Sequence, residues 1–205
     1  MSDRPFIMLD LDGVIARPAL GWNVVISRTL SIPPLPEDVR RATPPGRRST
    51  RHVIHRLGHE VRYLGRRPLP IARDALAEIV RYRRPIIVTG RSWLVHGSIR
   101  RWLERHDLTT YIEEVVPNDT NLRTAQFKLR VARSRQIEEQ VDDDGSIAYY
   151  LARNGLSRVY LCDWPRNRGL PYPPNVVVVP NLLGVAEDLA RRAGALPADP
   201  APEMT

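Results

Sequence analysis

Four groups of residues in this 205-residue chain have types and spacing suited to chemistry. The first is D-L-D-G-V, residues 10–14, at the end of the apolar run 5–9. Asp10 and Asp12 stand two apart and repel each other unless a cation lies between them. A loop turning at Gly13 can aim the Asp10 carboxylate and the Asp12 backbone carbonyl at one point. The second group is I-I-V-T-G-R, residues 86–91, in which the Thr89 hydroxyl and the backbone N–H groups of Gly90 and Arg91 can take phosphate oxygens. The third is a single residue. Of the 31 basic residues, 30 are arginine and one, Lys128, is lysine. An ammonium can offset charge between a carboxylate nucleophile and a phosphate. The fourth is the acidic run Asp142-Asp143-Asp144. Hard carboxylate oxygens together with phosphate oxygens are the donors that Mg²⁺ prefers, so Asp10, Asp12, Asp142 and Asp143 are candidate metal ligands. Each group also has a plainer reading: a solvated acidic loop, an ordinary turn at Gly90, an exposed helix lysine, and a helix cap, the last being the expected role of Asp144.

The elements that must position these groups are legible as alternating periods. Short apolar strands are expected at residues 5–9, 85–88, 111–116, 137–141, 158–162 and 176–179, and helices at 70–82, from after Arg91 to about 106, at 122–135, 146–153 and 182–192. Alternation of this kind implies an α/β fold: a Rossmann-like, mostly parallel sheet with helices on both faces. Ligands of such sheets sit beyond the carboxyl ends of the strands. Residues 10–12, 89–91 and 142–143 all fall at such ends.

Residues 17–46 carry six prolines, which argue against a long element there, whereas residues 49–64 have helical apolar spacing. The reading divides the chain into a core of residues 1–16 and 69–195, a small, basic, mainly helical cap insertion at 17–68, and a frayed tail at 196–205. The insertion holds nine arginines from Arg40 to Arg67, with His52, His55 and His59 on one helix face. They can contact an anionic substrate, or form a solvated face.

Composition bounds the rest. With 42% hydrophobic and 26% charged residues the chain can bury a core. No apolar stretch is long enough to span a bilayer, and the acids near the N-terminus interrupt any signal-peptide core, so a cytoplasmic protein with no membrane partner is expected. The one cysteine, Cys162, excludes an internal disulfide and is expected in the core. A net charge of +8 favours anionic partners, nucleic acid among them.

Taken in order, D-L-D-G-V, I-I-V-T-G-R, Lys128 and V-D-D-D resemble the four motifs of the haloacid dehalogenase-like hydrolase superfamily. The resemblance covers residues 6–190. It implies a Mg²⁺-dependent phosphatase that works through an aspartyl-phosphate. By the same resemblance Asp10 is the nucleophile, and Asp12 protonates the leaving oxygen and then activates water. Thr89, with Gly90 and Arg91, binds the phosphoryl group, Lys128 orients and neutralises, and Asp143 beside Asp142 completes the metal site. The stretch 141–155 and the pattern Asp163, Pro165, Asn167 are similar to the 5′(3′)-deoxyribonucleotidase branch, which implies a small, nucleotide-like phosphate monoester. The acidic stretch is also similar to nucleic-acid-end (3′-phosphate) phosphatases. A non-catalytic module binding nucleic acid or phosphoprotein on the same fold is the reading from another class.

Overall fold

The computed structural model describes residues 4–18, 32–41 and 65–194. Six strands form one parallel sheet: β1 (Phe6–Leu9), β2 (Arg84–Ser92), β3 (Glu114–Asn118), β4 (Glu139–Asp142), β5 (Arg158–Cys162) and β6 (Val176–Val179). Their order across the sheet is β3-β2-β1-β4-β5-β6. Five α-helices are described: α1 (Ala72–Tyr82), α2 (His96–Arg105), α3 (Thr124–Arg135), α4 (Gly145–Arg153) and α5 (Leu182–Arg192).

The strand pleat sorts the core into two layers. Ile7 and Leu9 of β1 and Ile87 of β2 face a cluster built with α1, α2 and α5, while Met8, Ile86 and Val88 face a second cluster built with α3 and α4. The α1 stripe Ala72, Ala75, Leu76 and Ile79 has the i, i+3, i+4, i+7 spacing of a helix that buries one face. The α5 residues Leu182, Val185, Ala186 and Leu189 repeat it. The start of α4 is fixed by Asp144, whose Oδ1 accepts the amides of Ser146 at 2.8 Å and Ile147 at 3.3 Å, which is the capping role expected of it.

α3 differs from the others. Ala125, Gln126, Phe127, Lys128, Leu129, Val131 and Ala132 are all buried, so the helix is covered nearly all round. One side meets the sheet, and part of the cover comes from the insertion. Residues 32–41 form an irregular strap on this side of the sheet, with Ile32, Leu35 and Val39 packed on the apolar cluster that α3 shares with α4. Gln126 Nε2 donates to the carbonyls of Pro33 (3.1 Å) and Pro34 (2.8 Å). The strap ends in a bridge between Arg41 and Thr120. The two ends of the insertion are joined in a stem, where Arg17 N donates to Arg67 O at 3.0 Å and Leu69 N to Ile15 O at 2.8 Å. None of the described residues of the insertion is helical. The helix expected at 49–64, with its histidines, and the tail at 196–205 lie outside the described residues.

Opposite the functional edge, where β4 and β5 begin, Glu139 is held by Arg83 (2.6 Å) and Arg192 (2.7 Å). Tyr160 Oη donates to Asp188 at 2.7 Å beside them. Burial works against the Glu139 charge, but the hydrogen bonds and charges of Arg83 and Arg192 outweigh it and hold the carboxyl below its ordinary value. A carboxyl depressed in the fold contributes stability above its unfolded value, and that stability is lost as pH falls through the folded value. Urea unfolding should therefore show a stability that declines as pH falls through and below the ordinary glutamate range. Glu139→Gln should lose about 2 kcal/mol at neutral pH and decline less steeply in acid.

Candidate active site

The alternation of the sheet decides which side chains meet. Asp10 lies two residues beyond Met8, and Asp142 two beyond Gln140, so both point to the α3 face. Lys128 comes down from α3 between them. Its Nζ is 2.5 Å from Asp10 Oδ1 and 2.7 Å from Asp142 Oδ2, and the side chain has no exposed surface. Lys128 is thus a buried bridge and not an exposed helix lysine. Burial opposes its charge, but the two carboxylates more than offset this and hold the ammonium above its ordinary pKa. Burial pushes the Asp10 carboxyl up to about 6, with Lys128 pulling against it.

The four acids have different surroundings. Asp10 Oδ2 accepts the Asp12 amide at 2.9 Å, which closes the turn. The Asp12 carboxylate is shared by two guanidinium groups: Arg66 holds Oδ1, and Arg91 holds Oδ2 with its Nε at 2.6 Å. Asp142 is fully buried and its oxygens are fully engaged. Oδ1 accepts the amides of Asp143 (3.0 Å) and Asp144 (3.1 Å), and Oδ2 accepts Lys128 and Gln140 Nε2 (3.1 Å). Asp143 is 8% exposed, and its Oδ2 meets Arg166 Nη2 at 2.8 Å.

Gly13 shows how close the acidic loops approach. At φ +79° it occupies the left-handed region, and a Cβ there would fall 2.1 Å from Asp143 Oδ2. Only glycine lets the Asp143 carboxylate lie over the turn that carries Asp10 and Asp12. The loop after β5 fastens the same two segments. Trp164 Nε1 donates to Gly13 O at 3.2 Å, and Asn167 Nδ2 donates to the carbonyls of Asp143 and Cys162, both at 3.0 Å. Asp163 instead pairs at 3.0 Å with the exposed Arg168. Cys162 ends β5 in the core, and burial, with the nearby carboxylates, raises its thiol well above the ordinary range.

Two expectations change in detail. Thr89, Gly90 and Arg91 do not form a turn after the strand. β2 continues to Ser92, with its register against β3 shifting between Thr89 and Ser92. A Cβ on Gly90 would fall 2.1 Å from Thr124 Oγ1, so the start of α3 packs directly on this stretch. Thr89 is buried at the same edge, whereas the Arg91 side chain is directed to Asp12. Second, sequence reasoning placed Arg66 among the general basic residues of the insertion and did not consider Arg166. Both are part of this edge, and their partners are 54 and 23 residues away in the chain.

Among the described residues no three His, Cys, Asp or Glu side chains form a ready-made metal cluster. Magnesium does not require one: it is commonly held by one or two carboxylates, with water and substrate oxygens completing an octahedron. Asp10, Asp143 and the Asp12 carbonyl are hard oxygen donors that fit this pattern. Asp142 does not, since its oxygens already accept four hydrogen bonds.

No family model matches the chain, and no curated protein matches it. Solved structures do. A haloacid dehalogenase-like family hydrolase from Streptococcus pneumoniae is similar at TM-score 0.58 and 12% identity, over 92% of this chain and 99% of that one. The D,D-heptose 1,7-bisphosphate phosphatase from B. bronchiseptica, complexed with magnesium and phosphate, is similar at TM-score 0.58 and 16% identity, with the same coverage of 92% and 99%. The chain has the fold of haloacid dehalogenase-like hydrolases. CbbY from Rhodobacter sphaeroides, in complex with phosphate, is similar at TM-score 0.56 and 15% identity over 88% and 95% of the two chains.

Removing the Lys128 ammonium would leave two buried carboxylates facing each other. Lys128→Met should cost about 3–5 kcal/mol in urea unfolding. Asp142→Asn in the Lys128→Met background should recover part of this loss, since one of the two unpaired charges is then gone.

Proposed function

We propose that the chain is a Mg²⁺-dependent phosphatase that hydrolyses a phosphate monoester through an aspartyl-phosphate. The observation that carries this reading is the buried Lys128 bridging Asp10 and Asp142, with the Asp12 carboxylate fixed beside them. A nucleophile of this kind must be ionised, aimed and shielded from water. Lys128 and the Asp12 amide together fix both oxygens of Asp10.

In the proposed reaction an Asp10 oxygen attacks phosphorus and the bond from phosphorus to the leaving oxygen breaks. Asp12, which must enter this step protonated on an oxygen released from its guanidinium partner, gives that oxygen its proton. Asp12 then takes a proton from water as the water oxygen attacks phosphorus, which breaks the aspartyl-phosphate and restores Asp10. Thr89, with the backbone at Gly90, binds the phosphoryl oxygens, and Lys128 limits repulsion between Asp10 and the approaching phosphate. Mg²⁺, held by Asp10, Asp143 and the Asp12 carbonyl, would supply charge neutralisation at the phosphoryl oxygens.

The substrate class proposed first is a small, nucleotide-like monoester, on the sequence resemblance of residues 141–167 to deoxyribonucleotidases. A second reading is a 3′-phosphorylated nucleic-acid end. It is favoured by the net charge of +8 and by the exposed Arg17 and Arg67 on the insertion stem, Arg41 on the strap and Arg123 before α3. Among the described residues no helix is long and apolar enough to cross a membrane.

The test is a screen of nucleotides, sugar phosphates and 3′-phosphorylated oligonucleotides. Turnover should vanish in EDTA and return with Mg²⁺, and Asp10→Asn should be inactive. An active Asp10→Asn protein would overturn the mechanism. Lys128→Arg should lose roughly 100-fold in single-turnover rate, because a guanidinium cannot occupy the position of a compact ammonium.

A further inference from the structure

We propose that Arg66 is a positioning residue for Asp12, so that the stem of the insertion is part of the catalytic apparatus. This rests on the phosphatase reading above. Thirty arginines in this chain would ordinarily sit at the surface. The Arg66 side chain is 5% exposed. Its guanidinium joins two segments: Nε donates to the carbonyl of Arg17 at 2.7 Å, and Nη1 pairs with Asp12 Oδ1. Its own carbonyl accepts Trp102 Nε1 at 2.9 Å and lies 3.2 Å from His106 Nε2. The backbone of Arg66 is therefore anchored to α2 and its neighbouring turn, while its head reaches the active-site loop.

What Arg66 adds is a second fixed point. Arg91, from β2, holds only Oδ2 of Asp12. A carboxylate gripped at one oxygen can still turn about that contact. Arg66 grips the other oxygen from a different segment, and the plane of the carboxylate is then set. To act as the acid Asp12 must carry its proton on Oδ2 in place of the Arg91 contact, and Arg66 on Oδ1 is then what keeps the group aimed; an error of about 1 Å can cost on the order of 100-fold in rate. The same guanidinium also ties the stem: the Arg17 carbonyl it holds belongs to the residue whose amide bonds Arg67 O. The stem and the orientation of Asp12 thus share one side chain. A solely structural arginine would serve the stem and leave Asp12 indifferent to its loss.

The experiment compares full-length wild type, Arg66→Met, Arg66→Lys, Asp12→Asn and the double variant Asp12→Asn with Arg66→Met. Two probes are used: 4-nitrophenyl phosphate, whose leaving group needs little help from an acid, and an alkyl phosphate such as glycerol phosphate. Arg66→Met should lose about 100-fold in kcat on the alkyl ester, with KM little changed, and far less on the aryl ester. In the Asp12→Asn background the same substitution should add almost nothing, since it then has no carboxylate to position. Arg66→Lys should fall between wild type and Arg66→Met, because a single ammonium cannot span Arg17 O and Asp12. It also serves as the informative variant if Arg66→Met does not fold. Equal losses on both esters, or a full additional loss in the Asp12→Asn background, would overturn the proposal while leaving the phosphatase reading intact. No turnover of either ester by wild type, with the nucleotide and oligonucleotide screen also blank, would overturn that reading and this proposal with it.

Discussion

The ammonium of Lys128, buried between two carboxylates, is the constraint around which the rest is arranged. A charge with no exposed surface is tolerable only where opposite charges and hydrogen bonds replace water. Asp10 and Asp142 do so, but only if three elements keep their relative positions. The strands β1 and β4 must be adjacent, as their pairing of Met8 with Gln140 and Leu9 with Val141 makes them. α3 must lie close against the sheet. The outer side of α3 must also be closed, which is what the strap at 32–41 does through Gln126 and the apolar residues Ile32, Leu35 and Val39. The strap is part of the insertion in sequence, yet in space it completes the wall behind the lysine.

The charge balance at this edge follows a simple count. Asp10, Asp12, Asp142 and Asp143 face Lys128, Arg66, Arg91 and Arg166 in ion pairs. With all eight groups ionised the formal sum is nil. A dianionic phosphate would enter such a site without net attraction, and would meet the Asp10 oxygens against repulsion. A divalent cation changes the sum by two, which matches the dianion. Charge neutrality without the cation explains how so many acids can be packed at one edge in the fold, and under the proposed reaction the same neutrality would give a cation its part in admitting phosphate.

Much of this was legible because strands and helices write their period locally. Residues 158–162, 176–179 and 182–192 were expected as two strands and a helix and are observed with those limits. Lys128 stood out by composition alone. The parts that were not legible depend on tertiary partners. β2 runs on past Thr89 to Ser92 because β3 pairs with it there, and nothing local in T-G-R announces a partner. Arg66 is one of nine arginines in the insertion from Arg40 to Arg67, and its identity carries no sign that Asp12 lies within reach. Asp142 and Asp143 are chemically identical neighbours. They part only when the strand turns one into the core against Lys128 and Gln140 and leaves the other at the rim, against Gly13 and Arg166.

The preference for arginine also has a physical reading. Elsewhere in the fold the guanidinium is used for what its planar fork does well. Arg83 takes both oxygens of Glu139, and Arg158 and Arg168 take both oxygens of Asp188 and Asp163. These are side-on contacts between a fork and one carboxylate. The position between Asp10 and Asp142 is different. Two carboxylates approach one nitrogen, at 2.5 and 2.7 Å, inside a space with no exposed surface. A fork would have to present separate nitrogens to each and carry a bulky central carbon into the same space. A point charge at the end of a slender stem meets both at once. The one lysine of the chain stands where the geometry has no room for the residue used everywhere else.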